Sequence, residues 1–378
     1  MDAMAYLEAR APFHFGLRGV GIEATTVHGP SDTVFAGLCQ AMRQQLGPDK
    51  LREFLADYAS PDPPLLLSSA FPYVLARREW EVDDWQPPKP FDPAQAICFF
   101  PRPLEPPPGV PDVTEERKRV KKIEWLSEGI FRAWVGGESL EPHYTPENLV
   151  QSGRVWLTAT ERERVAGWRD EETDAIRLWA VGDVPRVTVD RQASTSTVYQ
   201  AGRVWFPPGS GLWLLVRWRA DWQVHGAVAL QVLGDAGIGG ERSAGHGLFR
   251  LHGPHPLASL PSPMPGERFL TLSLYYPTVT ELPAVLGGEG VSYRLQMRRG
   301  WMASPDDSFD DKGNLVRGRA LRRKAVRMFA EGSILRWPDG KTVLGMLADV
   351  TPEVFKAHTV YRYGLAFPVG YRPQGGAP

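Results

Sequence analysis

The order of elements in the sequence predicts an α+β fold, with two sandwiches of the split βαβ type in tandem. Each half reads as a strand, a helix and then further strands. The chain has 378 residues, enough for two domains of ordinary size with a core each. We place the domains at 1–210 and 211–378. The first carries a proline-rich insertion and a long hairpin at about 186–206, and the second a glycine-rich loop at 234–247. With 35 Pro and 38 Gly, helices must be short and loops numerous.

Residues 4–17 read as a strand, with Tyr6, Leu7, Phe13 and Phe15 apolar and Pro12 marking an edge or bulge. Ser31 is placed to N-cap a helix whose buried face is Val34, Phe35, Leu38, Met42 and Leu46. Gly47-Pro48 stops it, and a second helical run covers 50–58. Residues 65–71 read as a strand. The proline-rich stretch 85–111 reads as extended chain around a short buried strand, 97–100. Residues 115–122 are a charge run leading into a helix over 123–134. Strands are expected at 155–157 and 176–180.

Residues 187–206 are two β-rich arms around a small polar tip, a hairpin pattern. A strand over 212–218 and a helical run over 227–233 lead into the glycine loop, and a strand over 248–251 follows. The last third adds strands near 269–275, 291–297, 325–329, 333–337 and 359–364.

The loop Gly234–Gly247 contains one arginine, one serine and one histidine among its glycines. Glycines let backbone approach a ligand without a Cβ in the way, and successive N–H groups can form an anion-binding concavity. Arg242 and Ser243 add donors suited to phosphate. A plain connector between helix and strand is the alternative. Arg317, Arg319, Arg322, Arg323, Lys324 and Arg327 form a basic cluster after the acidic Asp306, Asp307, Asp310 and Asp311. It suits either a nucleic-acid contact or an exposed loop.

Composition narrows the chemistry. The chain is 43% hydrophobic and 23% charged, as expected of a soluble globular protein. The net charge is −1, so nucleic-acid affinity has to come from local patches. Two cysteines are too few for a disulfide framework or a zinc site, and they fit a reducing cytoplasm. No signal peptide or membrane span is expected. There is no P-loop, dinucleotide fingerprint, His-Glu-x-x-His, Cys-x-x-Cys or nucleophile elbow, so no metal or cofactor is expected. Metal-independent ribonuclease chemistry is the one catalytic option. His14, His28 and His246 with Arg242 could supply a base and a cation for it. Asp32 is either a further acid or a first-turn residue favoured by the helix dipole.

Three segments carry a resemblance. Gly237–Phe249 resembles the signature loop of the RAMP proteins, the RNA-binding subunits of CRISPR systems. His28-Gly-Pro-Ser-Asp-Thr-Val-Phe35 is similar to a segment of the fourth-subunit family of the Csm complexes. Val189-Asp190-Arg191, with Arg203–Phe206 after it, is similar to that family's thumb hairpin. Ala330–Ser333 and Tyr361–Gly364 match its style. The resemblance implies two ferredoxin-like (RRM-like) domains with a protruding thumb and a place in the type III-A effector complex. It implies a non-catalytic subunit that caps the crRNA 5′ handle and sits between the large polymerase-like subunit and the first backbone RAMP subunit. The thumb would press on the guide–target RNA duplex.

RNA contacts are then expected from Gly237, Gly239, Gly240, Arg242, Ser243, Gly245 and His246 of the loop, and from Arg191, Ser194 and Thr195 of the thumb. His28 and Ser31 join them. His14, Asp32, Arg322, Arg323, Lys324, Tyr361 and Arg362 are expected to touch RNA or a partner. The thumb tip departs from the family in having Ala193-Ser194-Thr195 where a Thr-Gly step is often found.

Overall fold

The computed structural model describes residues 2–16, 24–76, 90–190, 195–256, 260–304, 306–310 and 312–372. The strands are β1 (Ala3–Ala9), β2 (Leu65–Leu67), β3 (Phe71–Leu75), β4 (Ala96–Pro101), β5 (Trp125–Ser127), β6 (Leu149–Val150) and β7 (Val155–Trp156). They continue with β8 (Ala180–Asp190), β9 (Thr195–Trp205), β10 (Gly211–Trp218), β11 (Phe249–Pro256), β12 (Arg268–Thr271) and β13 (Leu295–Arg298). The last are β14 (Asp307–Phe309), β15 (Leu315–Arg317), β16 (Val326–Phe329), β17 (Ile334–Arg336), β18 (Ala348–Asp349), β19 (Tyr361–Arg362) and β20 (Pro368–Tyr371). The helices are α1 (Ser31–Ala56), α2 (Thr114–Lys122), α3 (Glu128–Gly136), α4 (Ala159–Arg164), α5 (Gln223–Ala236) and α6 (Leu282–Leu286).

The fold is mixed α+β. Its largest sheet, among the described residues, has nine strands in the order β11-β1-β10-β3-β4-β5-β7-β6, with β2 paired to β10. All its pairings are antiparallel except β5 with β7. Helices α1 and α5 pack together, and Gly37 lets Leu233 of α5 approach α1 closely. The expected face of α1 is the observed one: Val34, Phe35, Leu38 and Met42 are buried. Gly47, at φ +85°, and Pro48 break α1 into two segments where the sequence placed a stop and a second helix. The C-terminal part builds a smaller sheet, β17-β12-β20, and several two-stranded ribbons. One apolar core runs from the large sheet into these strands through Leu270, Leu272, Ile334, Tyr363 and Phe367. A smaller core gathers Phe269, Tyr275, Leu335 and Trp337.

Four expectations change. The boundary at residue 210 cuts through the large sheet, because β10 and β11 return to flank β1 on either side. Ser31 is the first helical residue, not the cap. Pro30 holds the cap position, and the Ser31 hydroxyl is used elsewhere. The charge run 115–122 is itself helix α2, while the expected helix over 123–134 is divided into β5 and α3. The strand expected over 65–71 is split at Ser68-Ser69. Strands β8 and β9 form the anticipated hairpin, in unbroken register from Ala180–Trp205 to Asp190–Thr195. Among the described residues no helix is long and apolar enough to cross a membrane.

Leu38 is fully buried between α1 and the sheet. Leu38→Ala is expected to lower stability by about 2–5 kcal/mol, because a cavity adds to the lost transfer energy. Urea unfolding should show a lower midpoint with an unchanged m-value.

Candidate nucleic-acid interface

The glycine loop is a folded structure. Gly237 ends α5 at φ +76°, and Gly239 follows at +87°. Backbone fills the space where their Cβ atoms would stand: His246 O lies 2.7 Å from that of Gly237, and His14 O 2.4 Å from that of Gly239. Side chains are therefore excluded at both positions. The loop closes on itself through Ile238 N–H to Gly247 O (3.0 Å). It docks on the segment after β1 through Gly240 N–H to His14 O (2.8 Å) and Gly247 N–H to Pro12 O (2.9 Å). Arg242, Ser243 and Gly245 are left exposed. The Arg242 guanidinium donates to Gln40 Oε1 of α1 at 3.0 Å.

The same short segment holds the root of the hairpin. Phe13 and Val204 exchange backbone hydrogen bonds of 3.0 and 2.9 Å, and His14 Nδ1–H donates to Gly202 O at 2.6 Å. Loop, His14 and hairpin root thus meet around residues 12–15. His246 lies under the loop, buried, with Nδ1 3.2 Å from Glu241 O. Burial, then the charge of Arg203 in β9, holds its pKa below the ordinary value and favours the neutral ring at pH 7. Arg191 and Ser194 lie outside the described residues. Thr195 begins β9, with its backbone paired to Asp190.

The remaining candidates sit elsewhere. Asp32 is buried in the first turn of α1. It accepts from Arg298 Nε at 2.9 Å and Nη2 at 2.7 Å, and from Arg362. Burial alone would raise its pKa, but the two guanidinium groups outweigh that and hold the carboxyl far below its usual range. Arg362 is buried with it and also reaches Arg299 O at 3.2 Å. Ser31 accepts from Leu274 N–H at 3.0 Å, and its own N–H donates to Ser69 Oγ at 2.9 Å. His28 stacks on Phe71 and stands 3.7 Å from Glu331, which also accepts from the Ser69 hydroxyl. Asp32, Arg362, Ser31 and His28 are therefore engaged in internal contacts between α1, the large sheet and the C-terminal strands. Tyr361 is half-buried in β19. Arg322 and Lys324 are exposed, whereas Arg323 turns inward. Among the described residues no group of three His, Cys, Asp or Glu side chains is placed to hold a metal ion.

Residues 264–371 match the family model described as the CRISPR Csm4 C-terminal domain. Curated relatives named CRISPR system Cms protein Csm4 include one from Mycobacterium tuberculosis, 25% identical over 350 residues that cover 93% of this chain and 91% of the relative. Another, from Thermococcus onnurineus, is 33% identical over 197 residues, 51% of this chain, and the chain spans 55% of that relative's length. The chain is thus similar to Csm4 proteins, through a C-terminal family match and a likeness that runs over nearly its whole length. Its fold is also that of a chain in the Csm3-Csm4 subcomplex of the type III-A CRISPR-Cas interference complex. That likeness has a TM-score of 0.62 at 15% identity and covers 98% of this chain and 100% of the other. A chain of the Csm1-Csm4 cassette in complex with pppApA is matched at TM-score 0.52 and 21% identity, over all of both chains.

The region that matches the Csm4 C-terminal domain supplies Arg298, Glu331 and Arg362, the partners of α1 and the large sheet. Sequence reading named Asp32 and Arg362 but not their pairing, and it missed Arg298 altogether. The two arginines stand 266 and 330 positions from Asp32, and no local pattern links them. Gln40 was missed for the same reason, although it lies on the exposed side of a helix whose buried side was plain.

Asp32→Asn is expected to destabilise the protein by about 3–5 kcal/mol at pH 7, because it leaves buried guanidinium groups uncompensated. The folded-state pKa of Asp32 is depressed, so its contribution is complete above the unfolded-state pKa and fades as pH falls below it. Urea titrations at pH 7 and pH 3 should show the gap between wild type and variant narrowing at the lower pH.

Proposed function

We propose that this chain is the non-catalytic RNA-binding subunit that caps the crRNA 5′ handle in a type III-A CRISPR effector complex. The observation that carries the reading is the exposed Arg242–Ser243–Gly245 surface, held on a glycine frame against residues 12–14. Handle phosphates meet Arg242 and Ser243 there, with backbone N–H groups of the loop beside them. His246 serves from below as a neutral positioning group. The chain joins a large polymerase-like subunit to the first backbone RAMP subunit. The likeness to Csm4 proteins supports this placement, as do the Csm1-Csm4 and Csm3-Csm4 assemblies in which its fold occurs.

The scaffold is of the ferredoxin-like kind. Elements β1-α1-β3 and β10-α5-β11, with the sheet order β11-β1-β10-β3, support a split βαβ first half that extends to residue 256. The C-terminal strands make the second half. The β8–β9 hairpin is the thumb that meets the guide–target duplex. The engagement of the candidate acids and bases supports a non-catalytic role. Asp32 is locked between arginines, His14 is bound to Gly202 O, and His246 is buried against Glu241 O.

Tagged protein purified from cells carrying its own locus should bring down RNA with one shared 5′ handle, together with a large subunit and repeated backbone subunits. RNA with scattered 5′ ends would refute the handle assignment. Arg242→Ala with Ser243→Ala should weaken RNA binding and make log K less steep against log salt, by about 0.7 for each phosphate that is no longer neutralised. Gly239→Ala should weaken binding as well, although both donors remain, because a Cβ at φ +87° collides with His14 O. The readout is the yield of crRNA per mole of purified complex.

A further inference from the structure

Residues 300–302 and 321–323 run antiparallel. Met302 N–H donates to Leu321 O at 2.9 Å and Arg323 N–H to Gly300 O at 2.9 Å, with Trp301 opposite Arg322. Side chains alternate between the faces of such a pair. On one face the Arg322 guanidinium lies 4.6 Å from the centroid of the Trp301 ring, and Trp301 is 57% exposed. A large aromatic side chain on the surface needs a reason where the other described tryptophans are buried or half-buried. Exposed Arg299 and Lys324 stand two residues away along the two segments, and no ion pair engages Arg299, Arg322 or Lys324 among the described residues.

On the opposite face Arg323 turns toward the Asp32 cluster. Arg298, Arg362 and Arg323 there surround Asp32, and the buried Glu331 carboxylate also acts on Arg298. The Nε of Arg323 is buried and has no hydrogen-bond partner. Burial, then the charge of Arg362, pushes the Arg323 pKa down to about 10, so the group is still protonated at pH 7. The aromatic surface therefore has positively charged groups behind it as well as beside it.

The location connects this patch to the glycine loop. Gln40 and Arg43 are three positions apart on α1, hence neighbours on one helix face. Gln40 receives Arg242 of the loop, and Arg43 holds Asp306 through bonds of 2.7 and 2.8 Å. Asp306 belongs to the segment that continues from Trp301. The glycine loop and Asp306 thus contact adjoining turns of α1.

We propose that Trp301 and Arg322 form a stacking platform for a nucleobase of single-stranded RNA, with Arg299 and Lys324 taking the adjoining backbone phosphates. This rests on the RNA-binding reading of the chain and extends it to a second contact beyond the glycine loop. Aromatic rings combined with cations are what a single strand requires, whereas a duplex keeps its base faces stacked inside. An arginine already lying on the indole presents a second planar cation to the base or its phosphate.

The test is equilibrium binding of full-length protein to a ten-nucleotide single-stranded RNA, with inorganic polyphosphate of similar charge as the second probe. Trp301→Ala should weaken RNA binding by about tenfold and leave polyphosphate binding unchanged, since stacking is lost and charge is not. Trp301→Phe should restore most of the affinity. Arg322→Ala with Lys324→Ala should weaken both probes. Wild-type RNA affinity in Trp301→Ala, with affinity lost in Arg242→Ala, would overturn the platform and leave the handle reading standing. The opposite pattern would support the platform and remove the loop. Unchanged RNA affinity in Trp301→Ala with loss of a co-purifying subunit would make the patch a protein contact and overturn the proposal.

Discussion

A single buried carboxylate organises the joint between the two parts of the chain. Asp32 opens α1, the helix that covers the large sheet, and both of its oxygens are used by arginines from β13 and β19. An ion pair without water is stabilising only when its geometry is good and its remaining hydrogen-bonding groups are satisfied. Here Arg298 binds both oxygens and also reaches Thr33 Oγ1 at 3.1 Å. The neighbouring links repeat the pattern with neutral groups: Leu274 N–H on Ser31, and Leu67 N–H on the Tyr363 hydroxyl at 2.8 Å. Glu331, buried, is held below its ordinary pKa: burial would raise it, but His28 and the Ser69 hydroxyl outweigh that. The apolar core continues across the same joint, so polar specificity and hydrophobic burial act at one place.

The glycine loop shows a second way of fixing geometry. Its shape comes from exclusion, because carbonyl oxygens occupy the positions that Cβ atoms would need at Gly237, Gly239 and Gly247. Gly245 also has a positive φ, but nothing stands near its Cβ position. The glycines on the inner side thus serve packing, while the outer segment 242–245 is exposed. The loop divides into a frame and an exposed edge, and the frame is built on the chain that follows β1.

Much of this was legible from the sequence, for local reasons. The face of α1, the break at Gly47-Pro48, the β8–β9 hairpin and the approach of α5 to the glycine loop follow from periodicity and from glycine and proline chemistry over a few residues. What could not be read there was long-range. Whether Asp32 is a surface acid or an inter-sheet clamp depends on residues more than 260 positions away. The boundary at 210 failed because strands β10 and β11 come back to pair with β1, and nothing in their own alternation names that neighbour. The helix expected over 123–134 was divided because Ile123, Trp125 and Leu126 supply buried strand surface as readily as a helical face.

The hairpin root has a mechanical consequence. Each arm has 11 residues, so at about 3.3 Å per residue the hairpin is a lever of roughly 35 Å. Its fulcrum is the Phe13–Val204 bridge with the adjoining His14–Gly202 bond, and the opposite edge of that short segment carries Gly240 and Gly247. Torque on the hairpin therefore reaches the glycine loop through three residues, Pro12 to His14, with no intervening helix to absorb it. Hairpin and loop thus share one pivot, so a displacement of either is felt by the other.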